Sequence, residues 1–350
     1  MDEINKSFSV LFSEYYNESY YDGDDTGKLS NGVNVCKVTA IAPEVNIFVC
    51  VFYMLIFLLA IPGNILVGLV IASAKQALTP SDMYLFNLSL ADGLLALTLP
   101  LWATSMMRGW VFGDVMCKLT NMAQELSFYC SIFFLACISV DRYRVIVHAM
   151  EARKEHWGML SRVVCAGVWS AGAVLSVSSA VFSGTVKSPD NKLQVCDEGF
   201  QQMARLLRHT VGFLLPLAVM LACYGVTVVR LLQTRSFRKQ RAMRVILAVV
   251  AAFLLCWAPH HVTVMVDTLM KIGQVDFNCS ARQSMDMALF VTQSMALLHS
   301  CVNPVLYAFV GEKFRRNLRQ LFHRWATLER TSSLRFSRST SQTSEGAAFM

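Results

Sequence analysis

The stretch Ser131-Ile-Phe-Phe-Leu-Ala-Cys-Ile-Ser-Val-Asp-Arg-Tyr-Arg-Val-Ile-Val-His148 sets a charge pair at the end of a long apolar segment. Such a pair at the end of a membrane-length helix is costly unless it is masked, solvated or functional. One interpretation is a latch, in which Asp141 and Arg142 satisfy each other in one state and Arg142 is released in another. The alternative is an interfacial pair that only anchors the helix end. The stretch alone does not decide between them.

The composition predicts a protein with several membrane spans. Hydrophobic residues make up 55% of the 350 residues and charged residues only 16%, which is unlike a soluble domain. Residues 1–44 hold eight acids and three lysines, whereas residues 311–350 hold eight Lys/Arg and three glutamates. An acidic N-terminal region and a basic C-terminal region indicate that the two ends of the chain lie on opposite sides of a membrane, rather than nucleic-acid binding.

Seven apolar stretches are each about as long as the ~20 residues that span a bilayer. They lie near 45–73, 82–106, 115–148, 158–182, 204–232, 240–268 and 284–310. We expect helices, because every backbone polar group in lipid must be satisfied within its own segment. The predicted fold is an all-α membrane protein, a seven-transmembrane helix bundle with a short amphipathic eighth helix. The predicted divisions are an N-terminal tail over 1–43, the bundle over 44–310, the eighth helix over 311–325 and a C-terminal tail over 326–350.

Basic residues near the ends of the apolar stretches predict the orientation, since Lys and Arg are enriched on the cytoplasmic side. They concentrate in the C-terminal tail and around the ends of the third and fifth stretches. Near those two ends they are Arg144, Arg153, Lys154, Arg162, Arg230, Arg235, Arg238, Lys239, Arg241 and Arg244. We therefore expect a multi-pass protein of the plasma membrane with its N-terminus outside and its C-terminus in the cytoplasm.

The N-terminal tail reads as disordered and acidic, with tyrosines beside acids at Tyr15, Tyr16, Tyr20, Tyr21, Asp22, Asp24 and Asp25. Sulfated tyrosines would add charge for a basic partner, and a plain solvated acidic tail is the alternative. The sequons at Asn5 and Asn17 are N-glycosylation acceptors if this tail lies outside.

The C-terminal region predicts an amphipathic helix followed by a polar tail. Phe314, Leu318, Leu321 and Phe322 are spaced at i, i+4, i+7 and i+8, so the helix is expected on the inner membrane face with its arginines toward anionic lipid. The tail offers phosphorylation sites at Ser332, Ser333, Ser337, Ser339, Thr340, Ser341, Thr343 and Ser344. Phosphates there would create an acidic patch for a basic partner, and a plain soluble tail is the alternative.

Four cysteines fall on the predicted outer side: Cys36, Cys117, Cys196 and Cys279. An oxidising exterior favours two disulfides. Four cysteines allow three pairings, and their positions in the chain do not choose among them.

Polar residues inside the apolar stretches are candidates for function. Asp92 has no basic residue in its own stretch, and with Ser131, His299, Ser300 and Asn303 it makes a candidate sodium site. The alternative is a protonated, hydrogen-bonded Asp92 used in packing. Prolines remove a helix hydrogen bond and make hinges, here at Pro216, Pro259 and Pro304, with the bulky Trp257 close before Pro259.

Taken together, these residues resemble the rhodopsin-like (class A) G-protein-coupled receptors. The matching motifs occur in order, one in each stretch: Gly63-Asn64, Leu90-Ala91-Asp92, Asp141-Arg142-Tyr143, Trp169, Pro216, Cys256-Trp257-Ala258-Pro259 and Asn303-Pro304-Val305-Leu306-Tyr307. The resemblance covers residues 36–325.

Within this class the chain is similar to the CXC chemokine receptors, most like the interleukin-8 receptors (CXC types 1 and 2). The shared features are Thr98-Leu99-Pro100, Trp110-Val-Phe-Gly113 before Cys117, Glu125-Leu-Ser-Phe-Tyr129 and His299-Ser-Cys-Val-Asn-Pro304. The resemblance implies the disulfides Cys36–Cys279 and Cys117–Cys196.

The resemblance also implies a mechanism with two ligand sites and no enzymatic step. The acidic tail captures a basic CXC chemokine, whose N-terminus then enters a pocket with contacts at Trp102, Arg205, Arg208, Asp267, Asp286 and Gln293. The implied activation and G-protein residues are Asp141, Arg142, Tyr143, Arg144, Tyr224, Trp257, Pro259, Asn303, Pro304 and Tyr307. The implied partners are a Gi-type heterotrimeric G protein, with arrestin and receptor kinases at the C-terminal tail. The implied outcomes are calcium mobilisation and leukocyte chemotaxis.

Four residues depart from that family. Gln293 stands where many chemokine receptors have Glu, Arg144-Val145 replace Leu-Ala, and Ser127 replaces an Asn near the candidate sodium site. The rival function is an atypical scavenging receptor that takes up chemokine without G-protein signalling; the intact Asp141-Arg142-Tyr143 argues against it, and Arg144 leaves it open. A retinal protein is disfavoured, since residues 283–310 contain no lysine for a Schiff base.

Overall fold

The computed structural model describes residues 43–73, 78–147, 154–187, 194–198, 202–232, 237–271, 279–310, 314–321 and 323. The predicted sulfation, glycosylation and phosphorylation sites and Cys36 lie outside these residues, as do the side chains of Cys279 and Tyr307. Among the described residues, seven helices are long and apolar enough to cross a membrane. The predicted seven-helix bundle is therefore confirmed.

The helices follow the apolar stretches to within a few residues. They are α1 (Pro43–Ala72), α2 (Pro80–Arg108), α3 (Gly113–Val147), α4 (Lys154–Phe182), α5 (Gln202–His209, Thr210–Leu214 and Leu215–Leu232), α6 (Phe237–Lys271) and α7 (Cys279–Leu297 and His299–Val310). A short helix α8 over residues 314–321 follows. In α8, Phe314 packs against the bundle core and Leu321 is buried, whereas Arg316 and Arg319 are exposed. The amphipathic eighth helix is thus compatible with the structure.

Local signals in the sequence set both ends of α2. Thr79 caps its N-terminus and forms a capping box with Asp82, and Pro80 occupies the first turn, where a missing N–H costs nothing. The helix ends at Gly109, whose φ of 74° is a conformation that glycine adopts without a steric penalty. This turn directs the buried Trp110 under the neighbouring hairpin.

An antiparallel hairpin of β1 (Ser183–Lys187) and β2 (Gln194–Glu198) covers one end of the bundle. The disulfide Cys117–Cys196 joins β2 to α3, so this predicted pairing is confirmed. The backbone N–H of Trp110 donates to the backbone carbonyl of Gln194, with 2.6 Å between nitrogen and oxygen. We call this the hairpin end, and the opposite end, where α3 carries Arg142, the Arg142 end.

The helix α5 contains a π-helical turn at Thr210–Leu214. Within it, Gly212 lies so close to α3 that a Cβ there would come within 2.6 Å of Tyr129 Cε1 and 3.0 Å of Phe128 Cε1. The missing side chain of Gly212 therefore fixes how closely α5 packs on α3. π-Turns within α-helices are frequent at functional sites.

We expect Gly212→Ala to lower the thermal stability of the purified protein, because overpacking a tight contact costs about 1–3 kcal/mol. The matched control is Gly225→Ala on the same helix, where a Cβ would meet nothing within 4 Å. That control should be neutral or stabilising, since Ala is favoured over Gly in helices. A thermal unfolding midpoint for Gly212→Ala at or above that of Gly225→Ala would contradict this account of the α3–α5 contact.

Candidate functional site

The hairpin end opens into a cleft of about 1040 Å³ of empty space, bordered by α1, α2, α3, β2, α5, α6 and α7. Its α2 side presents Trp102, whose ring centroid is 5.5 Å from that of Trp110. Trp102 Nε1 is buried, and among the described residues it has no hydrogen-bond partner. Of the predicted contacts, Trp102, Arg208, Asp286 and Gln293 line this cleft. It is therefore concave, partly apolar and equipped with a few polar groups, as ligand sites usually are.

A network of charges crosses the hairpin end from α5 to α7. The side chain of Asp267 is fully buried. Its Oδ2 lies 2.7 Å from Arg205 Nη1 and 3.4 Å from Lys271 Nζ, and its Oδ1 lies 3.2 Å from Arg282 Nη1. Arg282 also lies 3.3 Å from Asp286. The predicted contacts Arg205, Asp267 and Asp286 are thus engaged by charges of the chain itself.

A second ion pair joins α3 to α5. Arg208 Nη1 is 2.7 Å from Glu125 Oε1, and the Arg208 guanidinium carbon is 5.4 Å from the ring centroid of Phe128. Glu125 was not among the residues predicted to contact ligand. Its signal in the sequence was a carboxylate away from both ends of a membrane-length helix, which marks a candidate site.

Three buried histidines lie below this ion pair and were also missed: His209, His260 and His261. The Nδ1 atoms of His209 and His261 are 2.8 Å apart, so one nitrogen donates and the other accepts, and the two rings link α5 to α6. The ring of His261 stacks on Phe213, with centroids 4.1 Å apart. The signal available in the sequence was the adjacent pair His260-His261 after Pro259. Nothing in the sequence shows that His261 faces His209.

The centre of the bundle is built around Asp92, which is fully buried. Asn303 Nδ2 donates to its Oδ2 at 2.6 Å, and Ser131 Oγ donates to its Oδ1 at 3.0 Å. His299 Nε2 lies 3.5 Å from Oδ1. Ser300 Oγ instead donates to the Leu297 carbonyl at 2.9 Å.

These contacts match the candidate sodium site only in part. Hard cations bind oxygen, and the Asp92 carboxylate and the Ser131 hydroxyl offer it. Asn303 presents its amide nitrogen, and Ser300 is directed to backbone. Ser127 donates to the Ala91 carbonyl at 2.8 Å. Asp92 and Ser131 offer oxygen to a small cation, and the wider set that includes His299, Ser300 and Asn303 stays a prediction.

At the Arg142 end, Arg142 Nη2 lies 3.5 Å from Asp141 Oδ2. Asp141 also accepts a hydrogen bond from Ser81, and the buried Tyr224 lies 2.8 Å from Ser139 Oγ. Tyr143 and Arg144 are half-buried beside them. These are the contacts that the paired state of a latch requires.

Rings connect Phe128, three residues after Glu125 on α3, to the centre of the bundle at Asp92. Trp257 lies 4.4 Å from Phe128, measured between ring centroids, and its Nε1 is 3.2 Å from His299 Nδ1. That nitrogen is also 2.7 Å from the Ala296 carbonyl. His299 Nδ1 either donates to the Ala296 carbonyl or accepts from the Trp257 N–H. The tautomer of His299 therefore decides which of these two hydrogen bonds is made. His299 in turn faces Asp92.

This arrangement of seven helices, a tethered hairpin, a central aspartate and a charge pair at the far end agrees with a family match. The model described as 7 transmembrane receptor (rhodopsin family) matches residues 63–307. The chain therefore belongs to the rhodopsin family of seven-transmembrane receptors, the class A G-protein-coupled receptors.

Within the family, the chain is homologous to CXC chemokine receptors, as the resemblance in its motifs predicted. It is 45% identical over 276 residues to C-X-C chemokine receptor type 1 of Oryctolagus cuniculus, covering 76% of this chain and 77% of the relative. It is 40% identical over 324 residues to C-X-C chemokine receptor type 2 of the same species, covering 90% and 88%. C-X-C chemokine receptor type 1 of Homo sapiens is 44% identical over 276 residues, covering 76% and 78%.

We expect Asp267→Asn to destabilise the receptor strongly, because it leaves Arg205, Lys271 and Arg282 facing a neutral side chain. Breaking a buried pair by removing one partner costs about 3–5 kcal/mol. The matched control is Asp114→Asn, whose ion pair with Lys118 is exposed and is expected to contribute about 0–1 kcal/mol. Thermal unfolding of both purified variants measures the difference, and equal losses would show that the Asp267 network is not a structural one.

Proposed function

We propose that this receptor binds a CXC chemokine at the hairpin end and activates a Gi-type heterotrimeric G protein at the Arg142 end. The observation that carries the proposal is the cleft with charged side chains below a hairpin tethered by a disulfide, on a chain homologous to CXC chemokine receptors. The expected cellular outcomes are calcium mobilisation and leukocyte chemotaxis.

The proposed orientation places the hairpin end outside the cell and the Arg142 end in the cytoplasm of a plasma-membrane receptor. The Cys117–Cys196 disulfide supports this, because disulfides persist in the oxidising exterior. The basic residues Arg144, Arg162 and Arg230, near the helix ends on the Arg142 side, support it as well. The acidic tail with its tyrosines then lies where a basic ligand arrives, and attraction of opposite charges mainly raises the association rate and selectivity.

The proposed activation is a change of population between two states. In one state Arg142 is paired with Asp141, as observed. In the other, α6 pivots at Pro259 and Arg142, Tyr143, Arg144, Tyr224 and Tyr307 meet the G protein. Helix α8, with Arg316 and Arg319 exposed, would lie on anionic lipid of the inner membrane face. The Ser/Thr-rich tail would take phosphates from receptor kinases and then bind arrestin.

The deciding experiment is a panel of CXC chemokines applied to cells that express the receptor, with binding, uptake and calcium release all measured. We expect one or more chemokines to bind and to release calcium, and an inhibitor of Gi to abolish the release. Binding and uptake without any calcium response would instead support a scavenging receptor. The observed Asp141–Arg142 pair beside Tyr224 favours signalling.

Gln293 generates a prediction about ligand preference. It lines the cleft where many relatives carry Glu, so Gln293→Glu adds a negative charge that a basic ligand arm can reach. We expect it to tighten binding of chemokines with a basic N-terminal arm by about tenfold, equivalent to ~1.4 kcal/mol. Competition binding against the chemokine panel measures the change.

The control for this substitution is Ser284→Glu, which adds the same charge to an exposed position of α7. It should leave affinity nearly unchanged for chemokines with a basic arm. Equal effects of the two substitutions would mean that overall charge, rather than contact inside the cleft, governs ligand binding.

A further inference from the structure

The side chain of Arg208 makes two different contacts on one face of α3. Its Nη1 atom is 2.7 Å from Glu125 Oε1, and its guanidinium carbon is 5.4 Å from the Phe128 ring centroid. Residues three apart on a helix lie on the same face, so one arginine reaches both. A guanidinium combines the two roles well, because it forms ion pairs in its plane and stacks on aromatic rings through its faces.

Phe128 connects this arginine to the tryptophan of α6. Its side chain is fully buried, and its ring centroid is 4.4 Å from that of Trp257. Trp257 precedes the proposed pivot Pro259 by two residues. A closely packed ring cannot move independently of its neighbours, so the position of Arg208 constrains Phe128 and through it Trp257.

Glu125 and Arg208 border two cavities at once. One is the cleft described above, and the other is a recess between α3, α4, α5, α6 and α7, with about 740 Å³ of empty space that includes open solvent. A basic ligand group in either cavity competes with Arg208 for Glu125, and an acidic group competes with Glu125 for Arg208. Both kinds of competition separate the pair.

We propose that Arg208 is a positioning residue that holds Phe128 against Trp257 for as long as Glu125 holds Arg208. A ligand group that takes either partner frees Phe128 and lets α6 pivot at Pro259. The inference rests on the proposed function, since it describes how an inserted ligand arm acts on the helix that opens toward the G protein. It requires that the ion pair stabilise the state with Arg142 paired, which is the general condition for coupling between two sites.

The first test measures nucleotide exchange on purified Gi by the full-length receptor in lipid nanodiscs without ligand. Glu125→Gln removes the anchor of Arg208 at nearly constant volume, and we expect basal exchange to rise about fivefold, at the low end of typical couplings between sites. Phe128→Leu should raise it as well. Arg208→Lys keeps the positive charge but loses the planar face that stacks on Phe128, so we expect it to raise basal exchange, though less than Glu125→Gln does.

The charge swap Glu125→Arg with Arg208→Glu separates the two contacts of Arg208. It restores an ion pair between α3 and α5 but sets a carboxylate against the negative face of the Phe128 ring. We expect basal exchange to remain raised. A swapped receptor that returns to the wild-type rate would overturn the inference, because the ion pair alone would then suffice.

The matched control is Lys118→Gln, which removes an exposed ion pair with Asp114 on the same helix. It should change neither basal exchange nor the thermal unfolding midpoint. A rise in basal exchange equal to that of Glu125→Gln would overturn the inference, since any lost ion pair at the hairpin end would then have the same effect.

A second measurement reads Trp257 without a G protein. In receptor with fluorinated tryptophan, the Trp257 resonance is assigned by its loss in Trp257→Phe, and we expect Glu125→Gln and the charge swap to shift it while Lys118→Gln does not. An unshifted resonance would overturn the inference even in a receptor that activates Gi. A shifted resonance in a receptor that never activates Gi, with any chemokine of the panel, would support the inference and refute the proposed function.

Discussion

The bundle depends on a constraint that the bilayer imposes, namely that polar groups between the helices must find their partners within the protein, on their own helix or on another. Lipid offers no hydrogen bonds, and an unpaired buried polar group costs several kcal/mol. Asp92 on α2 meets this constraint through Ser131 on α3 and Asn303 on α7. Asn64 on α1 meets it by donating to the Ser300 carbonyl at 2.8 Å. These bonds fix the longitudinal register of four helices, which apolar packing against lipid could not do alone.

The same constraint explains how polar groups are distributed along the bundle. Ion pairs lie toward the two ends, where Asp267 and Glu125 engage cations at one end and Asp141 engages Arg142 at the other. Between them, uncharged or ambivalent groups such as Trp257 and His299 link the layers. A signal crossing this middle layer must therefore pass mainly by movement of packed rings, since mobile charges are expensive there.

The sequence predicted the fold well, because segment length, apolar composition and the positions of Lys and Arg report directly on the membrane. It also indicated Ser131, His299 and Asn303 as neighbours of Asp92, because an ionisable residue inside a span is conspicuous, whereas Ser300 bonds within its own helix. The pairing of Cys117 with Cys196 followed from family resemblance, whereas their positions alone left three possibilities open.

The charged contacts of the cleft were much less predictable. Glu125 and Arg208 are 83 residues apart, and their meeting depends on the rotation of α5 about its axis. That rotation is altered by the π-turn at Thr210–Leu214, which no hydrophobic period reveals. The contact between His209 and His261 was missed for the same reason, because the residues were visible but the faces they occupy were not.

The cleft combines these features into an argument about selectivity. Gln293 is uncharged, and three acids at the hairpin end, Glu125, Asp267 and Asp286, already contact cations of the chain. A ligand arm thus gains little from simple attraction to these three acids, because each new ion pair with one of them replaces an existing one. Binding then depends on the difference in free energy between the new ion pair with ligand and the existing ion pair within the receptor. Such differences are how binding sites discriminate between similar partners. At Glu125 the exchange also displaces a cation from the face of Phe128, so the selective contact and the proposed signal are the same event.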